Sequence, residues 1–207
     1  MKNSKKRLIN KRVRKNKNSR CKNVYIVLTQ TQTYPARAIH FYTNEPYAHA
    51  SIAFDEDLDE MYSFARRGIW NPFNAGFIEE DINDGIFGKY RSTTCNIYQL
   101  RITEKQYIKL REEIDIFKQN KDDYSYNFLG LVAAALNIPV RTKQRYFCSQ
   151  FVAYVLEQSG IKIFNKNYAL VKPRDIRLNP RLRSIYRGKL AEYRMAKEKS
   201  LIVESGT

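Results

Sequence analysis

Glycine and proline are scarce in this chain, which contains 8 Gly and 6 Pro among 207 residues. This scarcity excludes a collagen-like repeat and a Gly/Pro-rich linker protein. Only 3 Cys are present, at Cys21, Cys95 and Cys148. An odd number of cysteines without CxxC spacing provides neither a disulfide framework nor a zinc ribbon, so we expect a reducing environment.

Long apolar runs are also lacking. The longest segment without a charged residue is 124–140, and its apolar centre covers only 128–136. A membrane span needs about 20 largely apolar residues, so this segment is predicted to be a buried core helix. The basic N-terminal residues contain no apolar run of the roughly 7–15 residues that a secretory signal requires. The sequence therefore predicts no transmembrane segment, no signal peptide and a cytoplasmic location.

Histidine is equally rare. The chain has only His40 and His49, and it contains no HExxH, GxxxxGK[ST] or GxGxxG motif. These absences argue against a histidine-rich metal site and against a nucleotide-binding P-loop. We expect a protein that needs no metal and no cofactor, in which acid–base chemistry near neutral pH is limited to very few side chains.

Positive charge is abundant but unevenly placed. The chain carries 37 Lys and Arg against 21 Asp and Glu, a net charge of +16, and eleven of the positive charges lie in residues 1–23 without any acid. We expect residues 1–23 to be a basic, disordered tail. If the tail binds a partner, it would contact phosphates of nucleic acid or of an acidic membrane without reading sequence. A non-catalytic nucleic-acid-binding or membrane-binding protein is therefore the alternative to an enzyme.

The remaining residues have the composition of a folded domain, with 43% apolar residues, 15 Tyr and 11 Phe. Alternating or β-branched patterns predict strands over 24–28, 47–54, 61–66 and 94–102. Helical spacing predicts helices over 36–42, 125–136 and 147–158, and a helix capped by Thr103. Strands that precede helices are typical of an α+β domain with a mainly antiparallel sheet, here over 24–190 and followed by a polar C-terminal tail at 191–207.

Two segments have no clear pattern. Residues 68–89 are rich in Gly, Asn and Pro, and their length indicates either a functional loop or an unplaced strand. Their aromatic residues Trp70, Phe73 and Phe77 could line a substrate cleft or simply pin a surface loop. Residues 182–193 are ambiguous between strand and helix.

Cys148 is the candidate nucleophile. It lies in the first turn of the predicted helix 147–158, where unpaired backbone N–H groups and the helix dipole favour an anion. A thiol there has a lowered pKa, and its own N–H could donate to a developing oxyanion. The alternative is that Cys148 only fills the core, as buried free cysteines often do.

His49 is the candidate general base, because it begins a predicted strand and could reach the rim of the sheet. If Phe54 pairs with Glu60, then Ser51 pairs with Ser63, and Ser63 lies on the same sheet face as His49. Ser63 could then orient the imidazole as the third member of a triad, provided that the register does not slip by one residue.

The segments YAHASIA at 47–53 and YFCSQFV at 146–152 resemble those of the circularly permuted papain-fold cysteine hydrolases of the NlpC class, in particular the YiiX-like group. In this group the histidine precedes the cysteine, as His49 precedes Cys148. The resemblance covers roughly residues 24–189 and implies a papain-like fold. Ser63 stands where many members of the group place a glutamate or another polar residue.

The resemblance implies a thiol-dependent hydrolase or acyl transferase that works through an acyl-enzyme on Cys148, with His49 moving the proton. Family members act on amide bonds of cell-wall peptides and on lipid acyl groups, so the expected substrate is a peptide-like amide or an acyl ester. The N–H of Cys148 provides part of the oxyanion hole, and Tyr25 and Gln30 are candidates for the second donor. An enzyme fold with a degraded site is a further alternative, because Ser63 replaces the expected acidic residue.

Overall fold

The computed structural model describes residues 21–31, 45–68, 74–140 and 142–205. They form an α+β structure around one six-stranded antiparallel sheet, with strand order β4-β3-β2-β1-β5-β8. This architecture confirms the predicted α+β class and the antiparallel sheet. A separate two-stranded parallel pair is formed by β6 and β7.

The strands have the following bounds: β1 Cys21–Gln30, β2 His49–Ala53, β3 Met61–Arg66, β4 Ala75–Glu80, β5 Thr94–Thr103, β6 Ser125–Tyr126, β7 Arg145–Tyr146 and β8 Arg183–Lys189. The α-helices of the described residues are α1 Gly85–Lys89, α2 Glu104–Gln119, α3 Phe128–Ala135, α4 Cys148–Gln158, α5 Pro173–Arg177 and α6 Tyr193–Ser205. Short 3-10 turns cover Lys121–Asp123, Tyr168–Leu170 and Leu190–Glu192.

β1 is a central strand, and its sequence explains why. Val24, Ile26 and Leu28 face one side of the sheet, Tyr25 and Val27 face the other, and all five are buried. A strand covered on both faces has a nearly continuous apolar run, which is what residues 24–28 show. The sheet is therefore the middle layer of three.

The larger core lies between the sheet and helices α2 and α4. It contains apolar residues at helical spacing, with Leu110, Ile114 and Phe117 from α2 and Phe151, Val152, Val155 and Leu156 from α4. Fully burying such a side chain contributes about 1.5–3 kcal/mol. The register of α4 on β2 and β3 is thereby determined, and this register places the first residue of α4 at the start of β2.

The predicted capping of α2 is confirmed. The Thr103 hydroxyl accepts from the N–H of Gln106 at 3.2 Å, and the N–H of Thr103 donates to the Gln106 side chain at 3.0 Å. The Gln106 amide also donates to the carbonyl of Gly160 at the end of α4. The capping box thus joins the two helices that cover the larger core.

Residues 68–89 contain regular structure that the sequence pattern did not predict. β4 is an edge strand paired with β3, and α1 follows it. Phe77 is buried in the larger core against Phe117 and Tyr62, so it does not line a cleft. Trp70 and Phe73 lie outside the described residues, as do most of the predicted basic tail and the predicted helix 36–42.

The predicted polar C-terminal tail at 191–207 needs correction, because residues 193–205 form helix α6, which packs on the domain. Tyr193 is buried in the smaller core on the second sheet face, and its hydroxyl donates to the Glu56 carbonyl at 2.8 Å. Lys197 pairs with Asp57 at 2.6 Å. The predicted tail boundary after residue 23 is also too late, since β1 begins at Cys21.

The prediction for the uncharged segment 124–140 is wrong as to burial. Residues 128–135 do form a helix, α3, but it lies on the surface rather than in the core, and Leu129 and Val132 are exposed. Within the described residues, no helix has both the length and the apolar content to cross a membrane.

Candidate active site

Cys148 is the first residue of α4 and lies where this helix meets the start of β2. Its side chain is almost fully buried, and its Sγ lies 3.9 Å from the carbonyl oxygen of Ala48. The N–H groups of Ser149 and Ala50 both interact with the sulfur. These donors favour the thiolate, as expected at the N-terminus of a helix.

His49 is the first residue of β2 and pairs with Thr29 in β1. The N–H of Ala48, the residue before His49, donates a hydrogen bond of 3.1 Å to the Thr29 carbonyl and so fixes the backbone at the start of β2. The imidazole is 19% exposed and forms a hydrogen bond with the Cys148 side chain. The structure therefore brings together the two residues, His49 and Cys148, that the sequence identified separately.

Glu80, the last residue of β4, contacts the other side of the imidazole. His49 Nε2 lies 2.9 Å from Glu80 Oε1, and the second carboxylate oxygen accepts a hydrogen bond from the Ser51 hydroxyl. Since Nε2 is bound to Glu80, Nδ1 is the ring nitrogen that is left for the sulfur. Cys148, His49 and Glu80 are thus arranged as the nucleophile, base and orienting carboxylate of a catalytic triad would be.

Ser63 lies near Cys148, His49 and Glu80 but does not hold the imidazole. Phe54 donates to the Glu60 carbonyl at 3.1 Å, so the register assumed from the sequence is correct and Ser63 lies on the face of His49. The Ser63 hydroxyl is buried and makes no hydrogen bond of good geometry, although it is near enough to Glu80 to help lower the pKa of that carboxyl. The prediction of Ser63 as the residue that holds the imidazole is therefore corrected to Glu80, since the carboxylate occupies Nε2.

The charges of Cys148, His49 and Glu80 stabilise one another. Burial alone would lower the pKa of His49, but the Glu80 carboxylate and the Cys148 sulfur outweigh burial and raise this pKa to about 10. Burial alone would raise the pKa of Cys148, but the hydrogen bond and the charge of His49, with the two backbone N–H groups, lower it below the ordinary thiol value. Burial also opposes ionisation of Glu80, yet its pKa is lowered by His49 and Ser51. The favoured state is a thiolate–imidazolium pair with an ionised glutamate.

Tyr126 provides a third group beside the sulfur. Its hydroxyl lies within hydrogen-bonding reach of both the Cys148 side chain and the Cys148 backbone N–H. Burial and the negative charge on the sulfur raise the pKa of Tyr126 well above the ordinary phenol value, so the hydroxyl keeps its proton as a donor. Tyr126 and the Cys148 N–H therefore provide two donors at the same side of the nucleophile.

Tyr126 is held in place by the pairing of β6 with β7, the strand that leads into Cys148. The N–H groups of Ser125 and Asn127 each donate at 3.0 Å, to Gln144 and Tyr146 respectively. The Asn127 side chain then accepts from the N–H of Gly130 at 2.8 Å and donates to Gln150 of α4 at 3.4 Å. A Cβ at Gly130 would lie 2.1 Å from the Asn127 amide nitrogen, so a larger residue would displace the Asn127 side chain from this capping contact.

The two predicted oxyanion candidates lie in different places. Tyr25 pairs with Ala53 at the far end of β2, and its ring lies in the smaller core, where Gln99 forms a hydrogen bond with its hydroxyl. The structure therefore does not bring Tyr25 to Cys148. Gln30 is the last residue of β1, one position beyond the partner of His49, and thus lies at the same end of the sheet as the site.

Sequence reasoning missed Glu80 and Tyr126. Glu80 follows a segment without clear periodicity, and only the pairing of Met61 with Glu80 shows that β4 carries it to the face of His49. Tyr126 precedes the apolar helix by two residues, and an aromatic residue at a helix start has no distinct signal. A search for an acidic residue at the end of a third strand would have found Glu80.

The site resembles no metal centre. In the part of the chain that the structure describes, no group of three or more His, Cys, Asp or Glu side chains could hold a metal ion. Comparison of the chain with protein-family models, with curated proteins and with solved structures finds no match.

Proposed function

We propose that this protein is a cysteine hydrolase or acyl transferase that forms an acyl-enzyme on Cys148. The observation that carries the proposal is the contact of Cys148 with His49 while Glu80 holds the opposite ring nitrogen at 2.9 Å. Three separate elements, α4, β2 and β4, contribute these side chains. A buried core cysteine needs neither a cationic partner nor an acidic residue behind that partner.

The reaction follows from the charge state of the pair. The Cys148 thiolate attacks the carbonyl carbon of an amide or ester, and the carbonyl π electrons move to the oxygen. When the tetrahedral intermediate collapses, the His49 imidazolium gives its proton to the leaving amine or alkoxide, and a thioester remains on Cys148. Neutral His49 then takes a proton from water, or from an acceptor nucleophile, which attacks the thioester and releases the thiolate.

Two groups are suited to stabilise the oxyanion. The backbone N–H of Cys148 lies at the start of α4, and the Tyr126 hydroxyl lies beside it. Both are held before substrate arrives, which is the condition under which such donors are most effective. In the proposed mechanism the carbonyl oxygen of the substrate binds between the two donors. It replaces the hydrogen bond between the Cys148 N–H and the Tyr126 hydroxyl.

We further propose that the fold is of the permuted papain type. The support is the chain order, in which the histidine strand precedes the nucleophile helix, and the packing of that helix across an antiparallel sheet. Glu80 would take the orienting role for which the sequence offered Ser63 or a nearby backbone carbonyl. The reacting groups fit an amide, an ester or a thioester equally well, because each presents the same carbonyl.

Trapping of the acyl group tests the proposal. The full chain is mixed with p-nitrophenyl butyrate and quenched in acid, and intact-protein mass spectrometry locates any butyryl adduct. We expect an adduct on Cys148, a burst of p-nitrophenol, and loss of both in Cys148→Ala. Cys21→Ser and Cys95→Ala are the matched controls, and both should keep the adduct. Equal p-nitrophenol release by wild type and Cys148→Ala, without an adduct on Cys148, would overturn the proposal.

The alternative, binding of nucleic acid or an anionic membrane through residues 1–23, stays a prediction, because residues 1–20 lie outside the described residues. It predicts steep salt dependence of binding and no effect of Cys148 substitution.

A further inference from the structure

Helix α3 exposes large apolar side chains beside the candidate site. Leu129 is 77% exposed, Val132 and Leu136 are each 62% exposed, and Ile138 just beyond the helix is 53% exposed. We call these four residues the apolar ridge. Leu129, Val132 and Leu136 have the spacing of one helix face, so they form a continuous stripe.

The fully buried residues of α3 are small. Gly130 and Ala134 are buried and Leu131 is half-buried, while Leu129, Val132 and Leu136 are exposed. A helix that stabilises a core has the opposite arrangement, with its large apolar residues inward. The composition of α3 therefore does not serve the packing of this domain, and an exposed apolar stripe of this kind indicates a surface that meets another apolar phase.

The ridge is firmly joined to the nucleophile. The Asn127 side chain caps the start of α3 through Gly130 and also reaches Gln150 in α4. The rings of Phe128 and Tyr126 are in contact, with 4.7 Å between their centroids, and the Tyr126 hydroxyl lies beside Cys148. Whatever the ridge contacts is thus brought close to Cys148.

The charged residues that follow the ridge in sequence are basic. Residues 124–147 contain three basic residues and no acidic one. Lys143 and Arg145 are exposed, and the Lys172 ammonium lies 3.2 Å from Asn137 Oδ1 at the end of α3. An apolar stripe flanked by cations matches a bilayer surface, whose acyl chains lie below anionic headgroups.

We infer that the apolar ridge of α3 docks on an anionic phospholipid bilayer. The consequence for substrate supply rests on the proposed function, since Cys148 would then receive acyl or amide substrates that lie at the membrane surface. A second copy of the chain is the less suitable occupant. The chain carries a net charge of +16, and a symmetric contact would bring two sets of the flanking cations together.

Depth-dependent fluorescence quenching tests the docking directly. The full chain is used as Trp70→Phe with Leu129→Trp, so that the only tryptophan lies on the ridge. The vesicles contain phosphatidylglycerol and phosphatidylcholine, with or without bromine on the acyl chains. We expect the brominated chains to quench the emission, because the ridge enters the region below the headgroups. The matched control is Trp70→Phe with Val203→Trp, since Val203 on α6 is 69% exposed and should not be quenched.

Binding of the ridge variant gives a second, independent readout. In vesicle co-sedimentation we expect Leu129→Ser/Val132→Ser to bind about tenfold more weakly than wild type. Leu201→Ser/Val203→Ser, which changes equally exposed residues on α6, should bind as wild type does. Circular dichroism would confirm that both variants are folded.

Three results would overturn the inference: no quenching at position 129, equal quenching at positions 129 and 203, or vesicle binding that Leu129→Ser/Val132→Ser leaves unchanged. The last result would assign membrane binding to the basic residues alone. A wild-type dimer that this variant converts to a monomer would identify a second copy as the occupant. All binding experiments are repeated in Cys148→Ser, so that docking is measured apart from catalysis. Docking of a protein that forms no acyl-enzyme contradicts only the proposed function. Formation of an acyl-enzyme by a protein that does not dock contradicts only the inference of membrane docking.

Discussion

Cys95 and Cys148 are both buried thiols, with 0% and 3% of their surfaces exposed, but their surroundings differ completely. Cys95 lies within β5, between Thr29 of β1 and Gly188 of β8. Burial raises its pKa to about 12, and only a backbone hydrogen bond from Gly188 opposes this effect. Cys148 begins a helix and contacts His49, and its pKa is lowered although burial acts in the other direction.

The comparison shows that burial does not decide whether a cysteine can react. A thiolate in a dry site needs donors and a nearby cation, and that cation needs an anion of its own. Cys148 has backbone donors and His49, and His49 has Glu80. Cys95 has apolar neighbours on its sheet face, among them Val27 and Ile97, which cannot compensate a charge.

The largest expected effect is the difference in reactivity between these two thiols. In proteins that keep only Cys148 or only Cys95, iodoacetamide at pH 7 should alkylate Cys148 about a thousandfold faster or more, because only its thiolate is populated. Mass spectrometry of timed samples measures both rates. Similar slow rates for the two cysteines would contradict the charge assignment of the site.

Removal of the cation should make Cys148 behave like Cys95. In wild type the lowered pKa means that the thiolate is present below the ordinary thiol value of about 8.5, so alkylation is already fast at neutral pH. In His49→Ala only the backbone N–H groups of Ala50 and Ser149 still oppose burial, so the pKa of Cys148 rises above that value and ester turnover falls by about 10²–10⁴-fold. The pH profile of alkylation measures the rise in the pKa of Cys148. The control is the double variant His49→Ala/Glu80→Gln, in which no buried carboxylate is left without a partner.

Loss of the proposed oxyanion donor Tyr126 should act mainly on the rate, because His49 and the backbone N–H groups of Ala50 and Ser149 still stabilise the thiolate. We expect Tyr126→Phe to slow acylation by p-nitrophenyl butyrate by about 10²-fold, while Cys148 stays readily alkylated at neutral pH. The ring contact with Phe128 is kept, and Tyr124→Phe is the matched control two residues away on the same segment. An equal loss in both variants would indicate a structural cause.

Neutralisation of the orienting carboxylate should have a smaller effect. Glu80→Gln keeps an oxygen for His49 Nε2 but removes the charge, so the pKa of His49 falls and the imidazolium is lost at lower pH. We expect turnover to fall by about tenfold and the alkaline limb of its pH profile to move to lower pH. The control is Glu79→Gln, which changes the neighbouring exposed residue of β4. An unmoved alkaline limb would show that Glu80 does not set the charge of His49.

The smallest effects distinguish the two serines that flank Glu80. Ser51 donates to the carboxylate, so Ser51→Ala should cost about 1–3 kcal/mol of unfolding free energy in urea. The Ser63 hydroxyl is buried without a well-formed hydrogen bond, so Ser63→Ala should be nearly neutral in stability and in turnover. A large loss on Ser63→Ala would restore Ser63 to the candidate triad.

Local patterns predicted much of the fold. The bounds of β3, the capping box at Thr103 and Gln106, and the start of α4 near Cys148 all follow from interactions between residues close in sequence. The register of β2 on β3 also followed, because a short turn leaves few ways to pair two strands. Segments with no periodic pattern were not predicted, and these included β4 and therefore Glu80.

The sequence by itself determined the α+β class, the position of Cys148 at a helix start and that of His49 at a strand end, because periodicity and capping act over a few residues. Only the tertiary structure decided that Glu80 lies behind His49, that Tyr126 lies beside Cys148, and that α3 turns its large apolar residues outward. Each of these depends on strand pairing or helix packing between residues twenty or more positions apart. The difference between Cys95 and Cys148 has the same origin, because the charges that ionise a buried thiol come from elements distant in sequence.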